Sequence, residues 1–120
     1  MKKECLGRIR DIYCAIRAFE HQLEKAFGLN INEVMLLCLV AEKDDISSGE
    51  IAEHMGLTCS NASKVIASLE KSGLIVRRTC KNDKRCMKFS ITPAGITLIS
   101  KVGCESVQLP ESLKCLSEKS

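Results

Sequence analysis

Apolar residues at the start of the chain return every three or four positions, at Cys5, Ile9, Ile12, Ile16, Phe19, Leu23 and Ala26. Alternating steps of four and three make a heptad seam, which predicts one helix of about 20 residues. Leu6 and Tyr13 widen the stripe, and Gly28 supplies a C-terminal stop. So long an apolar stripe in a small chain favours pairing with a second copy, with Ile9, Ile12, Ile16 and Phe19 at the contact. The next segment, Val34 to Ala41, is an unbroken run of eight apolar residues behind a possible cap at Asn30 or Asn32. Apolar on all sides, it is expected to be a central, enclosed helix. Lys43-Asp44-Asp45 ends it.

Two short helices follow. Ser47-Ser48-Gly49-Glu50 places Glu three residues after Ser, a capping box, ahead of the apolar positions Ile51, Ala52 and Met55. After Gly56, Thr58 opens a helix with Ala62, Val65, Ile66 and Leu69 on one stripe, closing before Gly73. Two helices joined by a short turn containing Gly form a helix-turn-helix pattern. The other face of the second helix carries Ser60, Asn61, Ser63 and Lys64, small or hydrogen-bonding side chains that fit a major groove about 12 Å wide.

Beyond Gly73 the period changes to two. Leu74 to Thr79 reads as a strand, and Met87, Phe89 and Ile91 alternate with Lys88 and Ser90 in a second. Residues 80–86, Cys-Lys-Asn-Asp-Lys-Arg-Cys, make a polar, cationic hairpin tip between them, across which Cys80 and Cys86 could face each other. Thr92-Pro93 is an N-cap followed by proline at the first helical position, opening a helix whose expected buried stripe is Ile96, Leu98, Ile99 and Val102. After Pro110, a last short helix from Glu111 to Glu118 would carry Leu113 and Leu116. The fold class is therefore mainly α with a small β-hairpin wing, a winged helix-turn-helix, in a chain of 120 residues with room for one domain.

Charge sharpens this picture. The net charge is +3, but Thr58 to Lys88 holds eight bases against two acids, leaving the rest of the chain at −3. Such a window attracts polyanions because binding releases their condensed counterions. Eight cysteines stand without any CxxC spacing, so no zinc ribbon or thioredoxin-like motif is offered, and reduced, mostly buried thiols are expected, Cys14 and Cys38 among them. No export signal or membrane-length apolar run appears, which places the protein in the cytosol. His21 and His54 form no metal-ligand spacing, and no phosphate loop, nucleophile elbow or nucleophile–base pair is present, so neither metal, cofactor nor enzymatic activity is expected.

Three stretches carry a closer likeness: "IAEHMGLTCSNASKVIASLEKSGLIVRR", the wing "NDKR", and "ITPAG" opening the next helix. In this order and spacing, the span from Gly28 to Val102 resembles the core of the MarR family of bacterial transcriptional regulators. The resemblance implies one MarR-like domain over 1–120, with 1–29 and 93–120 as dimerisation helices and 30–92 as the DNA-binding lobe. It implies a homodimer on a pseudo-palindromic duplex DNA site, with the helix from Thr58 to Lys71 as recognition helix and Leu113 and Leu116 joining the dimer contact. Ser47 and Thr58 would meet DNA beside Ser60, Asn61, Ser63 and Lys64. Asp83 would brace the wing, Arg85 would enter the minor groove, and Arg77, Lys81 and Lys84 would meet phosphates. Lys64 stands where many relatives have Arg, and the helical part from Pro93 onward is shorter than is usual in the family.

Some relatives sense oxidants through a cysteine of the first helix, which makes Cys5 and Cys14 candidate redox residues, with Arg10 and Arg17 near enough to favour a thiolate. A small-molecule effector is the other signal the resemblance suggests. The competing reading is a winged helix that binds protein without reading DNA, which would call for an apolar or acidic face in place of Ser60, Asn61, Ser63 and Lys64.

Overall fold

The computed structural model describes residues 3–80 and 83–102, and the side chains of these except residues 80 and 83–86. Lys81, Leu113 and Leu116 lie outside the described residues, as do the side chains of Asp83, Lys84 and Arg85. The order of elements is α1 (Lys3–Phe27), α2 (Ile31–Glu42), β1 (Ile46–Ser47), α3 (Ser48–Met55), α4 (Cys59–Lys71), β2 (Ile75–Cys80), β3 (Asp83–Ile91) and α5 (Pro93–Val102). Contacts divide the chain into a unit holding α1 and a second unit spanning Ile31–Lys101. The first nine residues of α5 thus group with the second unit, whereas the sequence reading set residues from 93 onward with the terminal helices.

Helix α1 runs 25 residues and stops where Gly28 takes φ +70°, its N–H donating to Glu24 O at 2.8 Å. Its apolar stripe is unevenly covered. Ala15 and Leu23 are buried and Ile16 and Phe19 half-buried, while Leu6, Ile9, Ile12 and Tyr13 stay exposed.

In the second unit the start signals of α3, α4 and α5 become caps. Ser47 Oγ accepts from Glu50 N–H at 3.2 Å while Ser47 N–H donates to Glu50 Oε1 at 3.3 Å, completing the capping box of α3. Thr58 Oγ1 accepts from Asn61 N–H at 3.1 Å to start α4, and Thr92 Oγ1 accepts from Gly95 N–H at 3.1 Å to start α5. Between α3 and α4, Gly56 adopts φ +65°, a left-handed cap open to glycine without strain. The buried apolar set is Val34, Leu36, Leu37 and Val40 of α2, Ile46, Ile51, Ala52, Ala62, Ile66 and Leu69, with Leu74, Ile75 and Phe89 from the sheet region.

The sheet has three antiparallel strands in the order β1-β3-β2. The two-residue strand β1 is an addition to the expected hairpin, pairing Ile46 with Phe89 and Ser47 with Lys88. Asp45 turns the chain into it with φ 58°, a conformation Asp tolerates, and its Oδ1 accepts from Ser90 Oγ at 3.1 Å. Across the hairpin the register shifts after Thr79, so that Cys80 stands opposite Asp83 and not opposite Cys86, the facing that the sequence alone allowed.

Three further expectations change. The apolar stripe of α5 was expected to bury Ile96, which is 53% exposed; the helix instead approaches the sheet through Gly95. A Cβ at Gly95 would lie 2.4 Å from Leu74 O, so only glycine permits that approach, and Ile96 is turned about 100° away from it. Helix α2 is not enclosed on all sides, since Met35 and Cys38 are exposed and the buried side is the one carrying Glu33, Val34, Leu36, Leu37 and Val40. The four described free cysteines, Cys5, Cys14, Cys38 and Cys59, are all exposed rather than buried; Cys5 and Cys59 stand at the ends of their helices, where the stripe is not covered, and Cys14 and Cys38 on uncovered sides.

Candidate nucleic-acid interface

Helix α4 is amphipathic, with Ala62, Ile66 and Leu69 buried on one side. Ser60, Asn61, Ser63, Lys64, Ala67 and Lys71 are exposed. The two sides differ in how their polar groups are occupied. Toward the protein, Ser68 Oγ donates to Glu33 Oε2 of α2 at 2.6 Å, and Glu70 Oε1 accepts from Arg77 Nη2 of β2 at 2.9 Å. Among the described residues, the side chains of Ser60, Asn61, Ser63, Lys64 and Lys71 have neither a hydrogen bond nor an ion pair within the chain. Asn61 takes part in the cap only through its backbone N–H, so its amide retains a donor and an acceptor side by side.

Ser47 and Thr58 use their hydroxyl oxygens as cap acceptors and keep the hydroxyl proton. Arg77, read from the sequence as a free phosphate contact, is instead joined to Glu70, and its guanidinium lies 5.6 Å from the centre of the Phe89 ring. It ties the end of α4 to both strands of the wing. The neighbouring Arg78 is exposed, carries no ion pair among the described residues, and stands opposite Lys88 in the strand register. Strand alternation could have separated Arg77 from Arg78, since successive side chains point to opposite faces.

The redox candidates sit on α1. Arg17 stacks 4.5 Å from the centre of the Tyr13 ring and donates to its hydroxyl at 3.3 Å, and this hydrogen bond, with the attraction of the same side chain, raises the guanidinium pKa. Arg10 lies 3.8 Å from Asp11. Both cations named as helpers for Cys5 and Cys14 therefore have partners of their own. On α2, Cys38 donates to Glu42 Oε1 at 3.8 Å, and burial, then the nearby carboxylate, push this thiol's pKa up. It lines an apolar groove of about 300 Å³ with Met35, Leu39, Glu42, His54 and Met55. No cluster of three or more His, Cys, Asp or Glu able to hold a metal occurs among the described residues, and no described helix is long and apolar enough to cross a membrane.

Set against known proteins, residues 29–87 match the model of the MarR family. The transcriptional repressor MprA of Escherichia coli is 30% identical over 102 residues, covering 82% of this chain and 53% of its own length. The regulator PapX of the same species is 30% identical over 79 residues, covering 64% and 48%. The chain thus spans about half the length of the curated relatives it matches. Among solved structures, the regulator BldR of Sulfolobus solfataricus superposes with a TM-score of 0.75 at 23% identity, over 99% of this chain and 84% of that one. A MepR–DNA complex from S. aureus gives 0.65 at 19% identity, over 92% and 85%. These structures share the winged helix-turn-helix fold with this chain, whose residues 29–87 are similar to the MarR family.

Proposed function

We propose that the chain is a sequence-specific DNA-binding transcriptional regulator, acting as a homodimer on a pseudo-palindromic operator and serving as a repressor. The observation that carries this reading is the outer face of α4, where Ser60, Asn61, Ser63 and Lys64 are exposed with their side-chain polar groups unoccupied, in a helix-turn-helix that leads into a cationic hairpin. Among the described residues no buried side-chain nitrogen or oxygen lacks a hydrogen-bond partner, so the unoccupied exposed set suits an external ligand rich in hydrogen-bonding edges. Asn61 can pair with the N6 and N7 groups of an adenine in the major groove, and Lys64 can meet phosphate or a guanine edge. The family resemblance adds Arg85 as a minor-groove reader, Asp83 as its brace, and Lys81 and Lys84 as phosphate contacts. The repressor named MprA and the MepR–DNA complex support the same direction. The exposed Leu6, Ile9, Ile12 and Tyr13 of α1 form the apolar stripe that a second copy would cover.

The test is binding to duplex DNA as salt is varied. Affinity should fall steeply as salt rises, in proportion to the phosphates neutralised. Asn61→Ala should keep that slope and lose about 1–3 kcal/mol of discrimination between preferred and random duplexes. Absence of binding at low salt would favour a protein-binding winged helix instead.

A further inference from the structure

The register of the three-stranded sheet aligns Ser47 of β1, Lys88 of β3 and Arg78 of β2 in one transverse row. The adjacent row, Ile46, Phe89 and Arg77, turns its apolar members inward, with Ile46 and Phe89 each only 2% exposed. Residues directly opposite share a face and neighbouring rows point to opposite faces, so Lys88 and Arg78 project together from the other side of the sheet. Their Cβ atoms are about 5 Å apart by strand geometry, and like charges placed opposite each other destabilise a sheet.

This arrangement contrasts with Arg77 one residue away, which has the Glu70 carboxylate at 2.9 Å. Among the described residues, neither Arg78 nor Lys88 forms an ion pair. Glu50 feels the charge of Lys88, but its Oε1 is taken by the Ser47 N–H at 3.3 Å. Ser47 Oγ accepts from Glu50 N–H, and its own proton remains available to an acceptor. The row therefore offers two cations that form no ion pair among the described residues, Lys88 only partly offset by Glu50, and one hydroxyl donor. A ligand that relieves the repulsion and accepts all three must present closely spaced anionic oxygens.

We propose that Ser47, Lys88 and Arg78 form a clasp for the sugar–phosphate backbone of duplex DNA, separate from the hairpin tip and from the face of α4. The clasp rests on the reading of this lobe as DNA-binding. It positions the lobe on the duplex without selecting sequence, because phosphate contacts are shared by all sequences. It also explains why a like-charge cross-strand pair stands in the middle of the wing: the pair costs the free protein stability and returns it on binding.

Binding of the full chain to labelled duplexes of several sequences, followed across a salt series, tests the clasp. Arg78→Gln and Lys88→Gln should each weaken every duplex alike and reduce the slope of log affinity against log salt by about 1, and the double variant by about 2. Lys43→Gln, a change at an exposed lysine outside the sheet, should leave the slope unchanged. Without DNA, the double variant should resist urea better than the parent at low salt, with the advantage shrinking as salt screens the repulsion. If the parent binds DNA with a salt slope that the Arg78 and Lys88 variants share, the clasp is wrong while the DNA reading stands. If the parent shows no salt-dependent binding, the DNA reading falls and takes the clasp with it. A double variant less stable than the parent at low salt would also overturn the clasp, since the two cations would then be held by contacts of their own.

Discussion

Helices α1 and α4 are both amphipathic and both leave one face exposed, yet the two faces differ in kind. On α1 the exposed face carries Leu6, Ile9, Ile12 and Tyr13. On α4 it carries Ser60, Asn61, Ser63 and Lys64, with no exposed large hydrophobic residue along the helix. An apolar stripe gains free energy only by leaving water, so it suits another apolar stripe, and in a symmetric pair the same stripe serves both copies. Unoccupied amides, hydroxyls and ammonium groups gain little from such burial and require a polar, anionic partner. The difference teaches that exposure by itself does not define a partner; the chemistry of what is left exposed does.

The largest effect that would break this contrast is expected on α1. Ile12→Asp removes a side chain whose burial stabilises by roughly 1.5–3 kcal/mol, and two-fold symmetry applies the change twice. The proposed dimer should weaken by about a hundredfold or more in sedimentation equilibrium, with the fold retained by circular dichroism. A variant as dimeric as the parent would remove α1 as the seam.

Two serines on α4 sharpen the comparison within a single helix. Ser68 is bonded at 2.6 Å to Glu33, which is only 8% exposed, so Ser68→Ala takes a hydrogen bond from a buried carboxylate and should cost roughly 1–3 kcal/mol in urea unfolding. Ser63 is exposed and without such a bond, so Ser63→Ala should leave stability within about 0.5 kcal/mol and lower DNA affinity instead. Exchanged phenotypes would mean that the two faces of α4 have been assigned the wrong way round.

A smaller effect is expected from acid. The capping box with Ser47 is the main cause that lowers the Glu50 pKa below the usual carboxylate value. A group whose pKa is depressed by folding contributes stability above its unfolded value and loses it as pH falls through the folded one. The start of α3 should therefore loosen as pH falls below the ordinary carboxylate range. Hydrogen exchange at Glu50 N–H would report this, and Ser47→Ala should reduce the pH dependence, since the backbone N–H at position 47 still donates to the carboxylate. The smallest effect concerns thiols: with its pKa raised by burial and by Glu42, Cys38 should alkylate more slowly at neutral pH than an ordinary exposed thiol, and Glu42→Gln should narrow the gap.

The features legible in the sequence were those set by neighbours along the chain. The Ser47–Glu50 box, the Thr58 cap, the Gly56 turn and the Thr92-Pro93 start each depend on a few consecutive residues, and the stripe of α4 follows from a period of 3.6. What escaped was set by distant pairing. Strand β1 exists because Ile46 meets Phe89, 43 positions later, and two residues carry no periodic signal of their own. The occupation of Arg77 by Glu70 depends on how β2 returns past α4, which charge counting cannot show. The eight-residue apolar run of α2 looked enclosed because composition records hydrophobicity and not which side is covered, and Met35 and Cys38 proved exposed. In the proposed interface, the α4 residues were legible, and strand alternation sets Arg77 and Arg78 on opposite faces, but that Arg77 is the one braced by Glu70 required the structure.

The most direct measurement is a backbone amide NMR titration of the isotope-labelled chain with a duplex it binds. Resonances of Cys59–Lys71 and of the β2–β3 wing should shift together and saturate at one stoichiometry, while those around Leu6, Ile9 and Ile12 on α1 stay in place. Shifts concentrated on the α1 stripe, with α4 and the wing unmoved, would contradict the assignment of the polar face to nucleic acid.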